Sequence, residues 1–162
     1  MELYLIRHGV AAERQDEEDD AQRVLTSKGW EKTEKVARRL VELGLSLDVI
    51  FASPLVRAQQ TGQILLEAGL SRRLETWPAL APGGDLAEAL TALAADETLE
   101  KIALVGHQPD LGEWAETLVW GENRDKLILK KAGVIGLAFN PGAVAPGAGE
   151  LFLLAPPRFL LD

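Results

Sequence analysis

The sequence has no cysteine in its 162 residues, which excludes disulfides, thiolate nucleophiles and thiolate zinc sites. It has no apolar run of about 18 residues, the length that spans a bilayer, and no basic leader segment at its start. Basic residues are in deficit, 17 against 25 acidic ones, for a net charge of −8. Nucleic-acid binding depends on neutralising phosphates with Lys and Arg. We therefore expect a cytoplasmic protein that has neither nucleic-acid nor membrane partners.

The remaining composition, 47% hydrophobic and 26% charged, is that of an ordinary globular chain, and its length suits one domain over residues 1–162. Apolar segments alternate with helical patterns. This predicts an α/β fold, a three-layer α/β/α sandwich with a mostly parallel, mixed central sheet. The predicted strands are 2–7, 48–53, 74–76, 101–106, 127–130, 134–139 and 150–154, and the predicted helices are 26–43, 54–66, 85–95 and 110–120. Asp85 and Asp110, each with a glutamate three residues on, are predicted to cap their helices.

Only two histidines occur, and each follows an apolar run that is predicted to be a buried strand. These are His8 and His107. Ligands bind at the carboxyl ends of the strands in α/β sheets. Arg7 lies beside the first histidine, and Arg57 falls in the first turn of a predicted helix, where the helix N-terminus favours anions. The four side chains predict a site for a tetrahedral dianion.

This set of residues suits phosphoryl chemistry. A neutral imidazole attacks phosphorus when neighbouring groups balance the charge on the phosphoryl oxygens. Arginine balances this charge well because its planar guanidinium group stays charged and donates two hydrogen bonds to one phosphate. A bound dianion would raise the pKa of His107 and make it a further cation. Gly9 is predicted to let the backbone turn sharply beneath the bound group.

Three segments, in order, resemble the signature stretches of the histidine phosphatase superfamily. They are residues 5–9 (LIRHG), 53–61 (SPLVRAQQT) and 105–109 (VGHQP). Residues 23–29 (RVLTSKG) and 80–85 (LAPGGD) are similar to its small SixA-type phosphohistidine phosphatase branch. The resemblance implies a phosphoglycerate-mutase-like fold and a metal-independent phosphatase that needs no cofactor.

The resemblance also implies a role for each matching residue. His8 would take the phosphoryl group and become a phosphohistidine, which water then hydrolyses. Arg7, Arg57 and His107 would hold the transferred group and stabilise its charge. Substrate-binding roles are predicted for Gly9, for Arg23, which is otherwise a solvated side chain, and for Ser53, which otherwise holds the turn after its strand.

One departure from the family pattern bears on the substrate. Larger members carry a Glu or Asp that protonates an alkoxide leaving group, between the second and third motifs. Here residues 79–85 read ALAPGGD, with no glutamate before the turn, and Asp85 is either that general acid or only a helix cap. A missing acid would slow alkyl phosphate hydrolysis most, because the leaving nitrogen of a phosphoramidate is readily protonated. We therefore expect a phosphorylated histidine-containing protein as the partner, acting in signalling or phosphotransfer.

Three alternatives stay open. The first is a phosphomonoesterase on a small phosphorylated metabolite, and the second is a phosphate- or phosphohistidine-binding module without turnover. The third, a two-histidine metal site, lacks an evident third ligand. The acidic run at residues 13–20 is either a solvated loop or the rim of the pocket, where it would attract a partner with a basic rim. The role of the tail, residues 156–161, is left open.

Overall fold

The computed structural model describes residues 1–15 and 19–161. Its strands are β1 (Glu2–Arg7), β2 (Val49–Ala52), β3 (Leu74–Thr76), β4 (Lys101–Gly106), β5 (Val134–Ala138) and β6 (Glu150–Ala155). Its helices are α1 (Ser27–Glu42), α2 (Val56–Glu67), α3 (Leu86–Ala94) and α4 (Asp110–Trp120). Short 3-10 turns cover Asp20–Gln22, Pro78–Leu80 and Pro157–Phe159.

The strands form one sheet in the order β3-β2-β4-β1-β5-β6. The first four strands are mutually parallel, whereas β5 runs antiparallel to β1, and β6 runs antiparallel to β5. The sheet is therefore mixed and mostly parallel, as predicted.

Helices cover both faces of the sheet, and the alternation of side chains along β1 shows it. Leu3 and Leu5 pack into one apolar core with α3 and α4, whereas Tyr4 and Ile6 pack into a second core with α1 and α2. Successive side chains of a strand point to opposite faces, so a strand buried on both faces is apolar throughout. The predicted three-layer sandwich is confirmed.

Helix α1 is fixed at its start by local chemistry. The Thr26 hydroxyl accepts a hydrogen bond from the Gly29 amide at 2.9 Å, which caps the first turn. A Cβ on Gly29 would lie 2.0 Å from the Val10 carbonyl oxygen. Glycine at this position therefore lets the first turn of α1 lie directly against the segment that follows β1.

The parallel strands β1, β2 and β4 end at the same edge of the sheet. Arg7 pairs with Gly106, and Ala52 pairs with Val105. The next residue of each strand is one of the predicted site residues: His8, Ser53 and His107. The pairing of three neighbouring strands therefore places these side chains together.

The antiparallel strands bring two further segments to this edge. Val134, which begins β5, pairs with Ile6 near the end of β1 and with Ala155 at the end of β6. The residues just before β5 and just after β6 therefore flank the predicted site.

The predicted strand at 127–130 is wrong. Backbone groups of this segment form hydrogen bonds with side chains and not with a neighbouring strand. The Glu116 carboxylate accepts from the amides of Leu127 and Lys126, and the Arg7 guanidinium donates to the Leu129 carbonyl oxygen at 3.0 Å. The segment is held irregular by groups distant in sequence.

Of the two predicted caps, one is confirmed. Asp85 caps α3 by accepting from the Ala87 amide at 2.7 Å. Asp110 is not a cap but the first residue of α4, and its carboxylate accepts from the Gly83 amide at 3.0 Å. It fastens the loop before α3 to the start of α4. No helix among residues 1–15 and 19–161 has the length and apolarity to cross a membrane.

Candidate active site

The four predicted side chains meet at the carboxyl edge of the sheet. The ring centroids of His8 and His107 lie 5.2 Å apart, and Arg57 Nε lies 3.3 Å from His8 Nε2. Solvent reaches 6% of His8, 4% of Arg57 and 4% of His107, while Arg7 is half-buried. Residues separated by up to a hundred positions thus form one cluster of nitrogen-bearing side chains, which we call the cradle: Arg7, His8, Arg57 and His107.

The backbone sets the tautomer of His8. Its Nδ1 lies 2.7 Å from the Gly9 carbonyl oxygen, which only accepts, so Nδ1 carries the proton and donates it. The Nε2 lone pair is left facing Arg57. Burial, together with the charges of Arg57 and Arg7, lowers the pKa of His8 to about 3 against the opposing effect of the Gly9 carbonyl. The ring is therefore neutral at neutral pH, the form in which imidazole is a nucleophile.

His107 is held through Ser53. Its Nε2 lies 2.7 Å from the Ser53 hydroxyl oxygen, and that oxygen accepts from the Leu55 amide at 3.3 Å. Ser53 therefore holds the turn after β2 and contacts His107, while its predicted role in substrate binding stays a prediction. Burial, with the nearby charge of Arg57, lowers the pKa of His107 to about 4. In the neutral ring, a Ser53 hydroxyl that donates to Nε2 leaves the proton on Nδ1.

Two cradle atoms are buried without a hydrogen-bond partner among the described residues. They are Arg7 Nε and His107 Nδ1; the third such side-chain atom in the described ranges is Gln108 Oε1. Buried polar groups in proteins are almost always paired. Two donors unpaired within one cluster of cationic and imidazole groups are what an anion-binding site requires.

Each of the three side-chain nitrogens of Arg57 donates a hydrogen bond. Its Nε donates to His8, while Nη1 donates to the Asp20 carbonyl oxygen at 2.7 Å and Nη2 to the Asp20 carboxylate at 3.0 Å. The same carboxylate accepts from Arg23 Nε at 2.8 Å. Partial burial opposes the effect, but the guanidiniums of Arg57 and Arg23 hold the pKa of Asp20 below its ordinary value. Asp20 is therefore an ionised clamp on Arg57.

Arg23 lies one contact away from the cradle. Besides its bond to Asp20, its Nη1 donates to the Ala12 carbonyl oxygen at 2.9 Å. It reaches Arg57 through the shared carboxylate. The structure thus places Arg23 behind Asp20, and its predicted contact with substrate stays a prediction.

Gly9 is required for a reason other than the predicted one. Its φ lies outside the left-handed region, but a Cβ here would lie 2.4 Å from the Thr33 hydroxyl oxygen on α1. Close approach of α1, and not a sharp turn, demands glycine. The Gly9 amide donates to the Thr61 hydroxyl at 3.0 Å, and that hydroxyl donates to the Arg57 carbonyl oxygen at 2.8 Å. Thr61 thus ties the residue after the nucleophilic histidine to the helix that carries Arg57.

Asp85 is exposed. It lines a surface groove with Glu113 and Thr117 of α4, and no cradle residue lines that groove. Its observed contact is the helix cap, while its role as a general acid stays a prediction.

Asp20 contacts the cradle, but the sequence did not single it out. It belongs to the acidic run at residues 13–20, three members of which, Asp16–Glu18, lie outside the described residues. Asp19 caps the following 3-10 turn through the Ala21 amide at 3.0 Å. A signal was present, because Asp20 precedes Arg23 by three positions, the spacing of an ion pair within one helical turn. In residues 1–15 and 19–161, no group of three or more His, Asp or Glu side chains is arranged to hold a metal ion.

Comparison with known proteins agrees with this geometry. The family model of the histidine phosphatase superfamily (branch 1) matches residues 3–110. The chain is 48% identical to an uncharacterized protein of Picosynechococcus sp., over 99% of each. It is 30% identical to the phosphohistidine phosphatase SixA of Escherichia coli K12, over 75% of this chain and 76% of that one. A solved structure of the protein histidine phosphatase SixA complexed with tungstate has the same fold, with a TM-score of 0.86 at 24% identity over 99% of each chain.

Proposed function

The chain belongs to the histidine phosphatase superfamily and is a phosphatase, and from that premise we propose that it hydrolyses phosphohistidine on a protein. In this proposal the phosphoryl group passes to His8 without the help of a metal ion, and the partner is a cytoplasmic phosphotransfer or signalling protein. The observation that carries the proposal is the state of His8. The ring is neutral, its proton is held on Nδ1 by the hydrogen bond to the Gly9 carbonyl oxygen, and its Nε2 faces Arg57.

In the first step, His8 Nε2 attacks phosphorus, and the P–N bond to the partner's histidine breaks. The nitrogen of the leaving imidazole keeps the electron pair of the broken bond and takes a proton from solvent. Arg57 Nε turns from His8 to a phosphoryl oxygen, and Arg7 Nε and His107 Nδ1 donate to the other equatorial oxygens. Of these donors, Arg57 Nε must leave an existing hydrogen bond, whereas Arg7 Nε and His107 Nδ1 have no partner among the described residues.

In the second step, water attacks phosphorus and the bond to His8 Nε2 breaks. The products are inorganic phosphate, the neutral His8 ring and a proton released to solvent, which replaces the proton that the leaving imidazole took up in the first step. The Nδ1 proton of His8 stays on Nδ1 throughout and donates to the Gly9 carbonyl oxygen. The net reaction consumes one water and releases one phosphate, so the enzyme returns to its starting state.

We propose phosphohistidine and not a phosphate ester as the substrate because of the contacts of two carboxylates, Asp20 and Asp85. An alkoxide leaving group needs a proton donor, whereas the leaving nitrogen of a phosphoramidate is basic enough to be protonated by solvent. Asp20 contacts Arg57, but its lowered pKa leaves it without a proton at neutral pH. Asp85 is occupied in capping α3. We therefore propose a substrate whose hydrolysis needs no general acid from either carboxylate.

The test uses a phosphorylated histidine-containing phosphotransfer domain and follows the loss of its label. Wild-type protein should release inorganic phosphate catalytically, and His8→Ala should release none. The matched comparison is a panel of phosphate monoesters hydrolysed by wild-type protein and by Asp85→Asn. Ester turnover that Asp85→Asn abolishes, with no action on the phosphorylated domain, would make the protein a phosphomonoesterase instead. Binding of the domain without turnover would make it a phosphohistidine-binding module.

A further inference from the structure

A second surface adjoins the cradle at the same edge of the sheet. It is a groove of about 660 Å³ between α1, the segment before β5 and the segment after β6. Five of its lining side chains are basic, Arg7, Lys32, Lys130, Lys131 and Arg158, and we call it the basic groove. Arg7 belongs to both the groove and the cradle, so a molecule in the groove lies beside the phosphoryl group.

The charge of the basic groove is opposite to that of the chain. Among the residues that the structure describes, no carboxylate side chain lines the groove, although the protein as a whole carries −8. Within residues 1–15 and 19–161, Lys32, Lys130, Lys131 and Arg158 form no salt bridge. A concentration of one sign of charge beside a reaction centre steers and orients a partner of the other sign.

The groove also offers apolar contact. Ile128 is 62% exposed and Leu154 is 45% exposed, and both line it. A surface on which large exposed apolar side chains lie among cations resembles the mixed apolar and charged surface of a protein interface. The groove therefore supplies both electrostatic attraction and hydrophobic area.

The form of the cations favours a macromolecule over a small ligand. Small-molecule sites fix a few polar groups in place by burial and hydrogen bonding. Lys130, Lys131 and Arg158 are exposed, and they are free to follow the contour of an opposing surface. We infer that the basic groove docks an acidic, partly apolar face of the protein that carries the phosphohistidine, an inference that rests on the proposed function. The partner's charge is then opposite to that expected from the acidic run at 13–20.

The experiment uses two phosphohistidine peptides that differ only in their flanks, acidic in one and basic in the other, with free phosphohistidine as the third substrate. At low salt, wild-type protein should favour the acidic peptide by about tenfold in kcat/KM, and added salt should erode the preference. The variant Lys130→Glu/Lys131→Glu should abolish the preference and change kcat/KM on free phosphohistidine by no more than about twofold.

The matched control is Arg72→Glu/Lys126→Glu, which makes the same change of charge at two exposed residues outside the groove. It should keep the preference. Equal rates on the two peptides, or an equal loss in the control, would overturn the docking inference while leaving the proposed function intact.

Two other results are distinguishable. If Lys130→Glu/Lys131→Glu slows only a phosphorylated metabolite that bears a second anionic group, the groove takes a metabolite and the inference is wrong. If wild-type protein hydrolyses neither peptide nor free phosphohistidine, the proposed function fails and the docking inference fails with it.

Discussion

The cradle and the basic groove share Arg7 and one edge of the sheet, yet they are built in opposite ways. His8, Arg57 and His107 are buried, and each is fixed by backbone or by a neighbouring side chain. The cations of the groove are mostly exposed, and they form no ion pair among the described residues. Chemistry needs groups held in place before the substrate arrives, whereas recognition of a partner's surface tolerates mobile charges. The comparison predicts that substitutions in the cradle act on every substrate and that substitutions in the groove act on one class.

Apart from the nucleophile His8, the largest effect is expected at Arg57. Replacing it with alanine removes a positive charge that stabilises the negative phosphoryl oxygens. It also removes the Nε donor that bonds to His8 Nε2. We expect kcat to fall about 10³-fold, the cost of losing a preorganised donor to the transition state. Measurement on free phosphohistidine and on a phosphoprotein should give the same loss for both. A loss confined to the phosphoprotein would mean that Arg57 acts in partner recognition, as the groove residues do, and would contradict the distinction between cradle and groove.

The next effect is on stability and concerns the segment before β5, part of which lines the groove. Glu116 is buried and holds the segment before β5 through the amides of Arg124, Lys126 and Leu127. Glu116→Gln should lower the free energy of unfolding by about 2 kcal/mol, because charge-assisted hydrogen bonds become neutral or are lost. Denaturant unfolding checks this, with Glu113→Gln on the same helix as the control. An unchanged midpoint would mean that the segment is held by other contacts.

The same residue makes stability depend on pH. Burial favours the neutral acid, but the backbone amides outweigh it and hold the pKa of Glu116 below its ordinary value of 4.5. The stabilisation is therefore present above that ordinary value and is lost as the pH falls through the lowered pKa. Unfolding measured from about pH 6 to about pH 3 should show a smaller loss of stability in Glu116→Gln than in wild type. Parallel curves would contradict the assignment.

A smaller effect is expected at Asp20, a positioning residue that acts through Arg57. Asp20→Ala removes the carboxylate contact with Nη2, and we expect kcat to fall about tenfold from misplacement of the guanidinium. KM for the phosphoprotein should change little, which separates positioning from docking. Asp20→Glu should recover part of the loss. Arg23 acts on Arg57 through Asp20, so Arg23→Ala should cost less than Asp20→Ala, and the reverse order would show that Arg23 contacts the substrate directly.

The smallest expected effect is an absence of titration. The pKa of His8 is lowered to about 3 and that of His107 to about 4. With only two histidines in the chain, the imidazole signals in a nuclear magnetic resonance titration are readily assigned. Neither ring should titrate between about pH 8 and about pH 5 in free protein. Added tungstate should raise the pKa of His107, because a bound dianion favours its charged form. A ring in free protein that titrates near its ordinary pKa would show that the cradle is open to water.

The sequence was sufficient where function depends on strand ends. His8 and His107 each follow an apolar run, and the parallel pairing of β1 with β4 brings such ends together by rule. Arg57 was predictable because it lies in the first turn of the helix after β2. Local pattern and fold-level rules therefore locate the cradle.

The sequence was insufficient where side chains replace regular structure. Residues 127–130 have a strand's composition, but Glu116 and Arg7 satisfy their backbone groups. Asp110 has the pattern of a cap but bonds the Gly83 amide instead. Asp20 sits in a run of acids that looks solvated until Arg57 is placed beside it. Each depends on contacts between residues that no local pattern connects.

The most direct test of the catalytic assignment is to trap the phosphorylated enzyme. Protein mixed with labelled phosphohistidine substrate and quenched in base should carry a label that is acid-labile and base-stable, located at residue 8 by peptide mass spectrometry. His8→Asn should carry none. Stable label at His107 or at a hydroxyl side chain, or full turnover in His8→Asn, would contradict the assignment of His8 as the nucleophile.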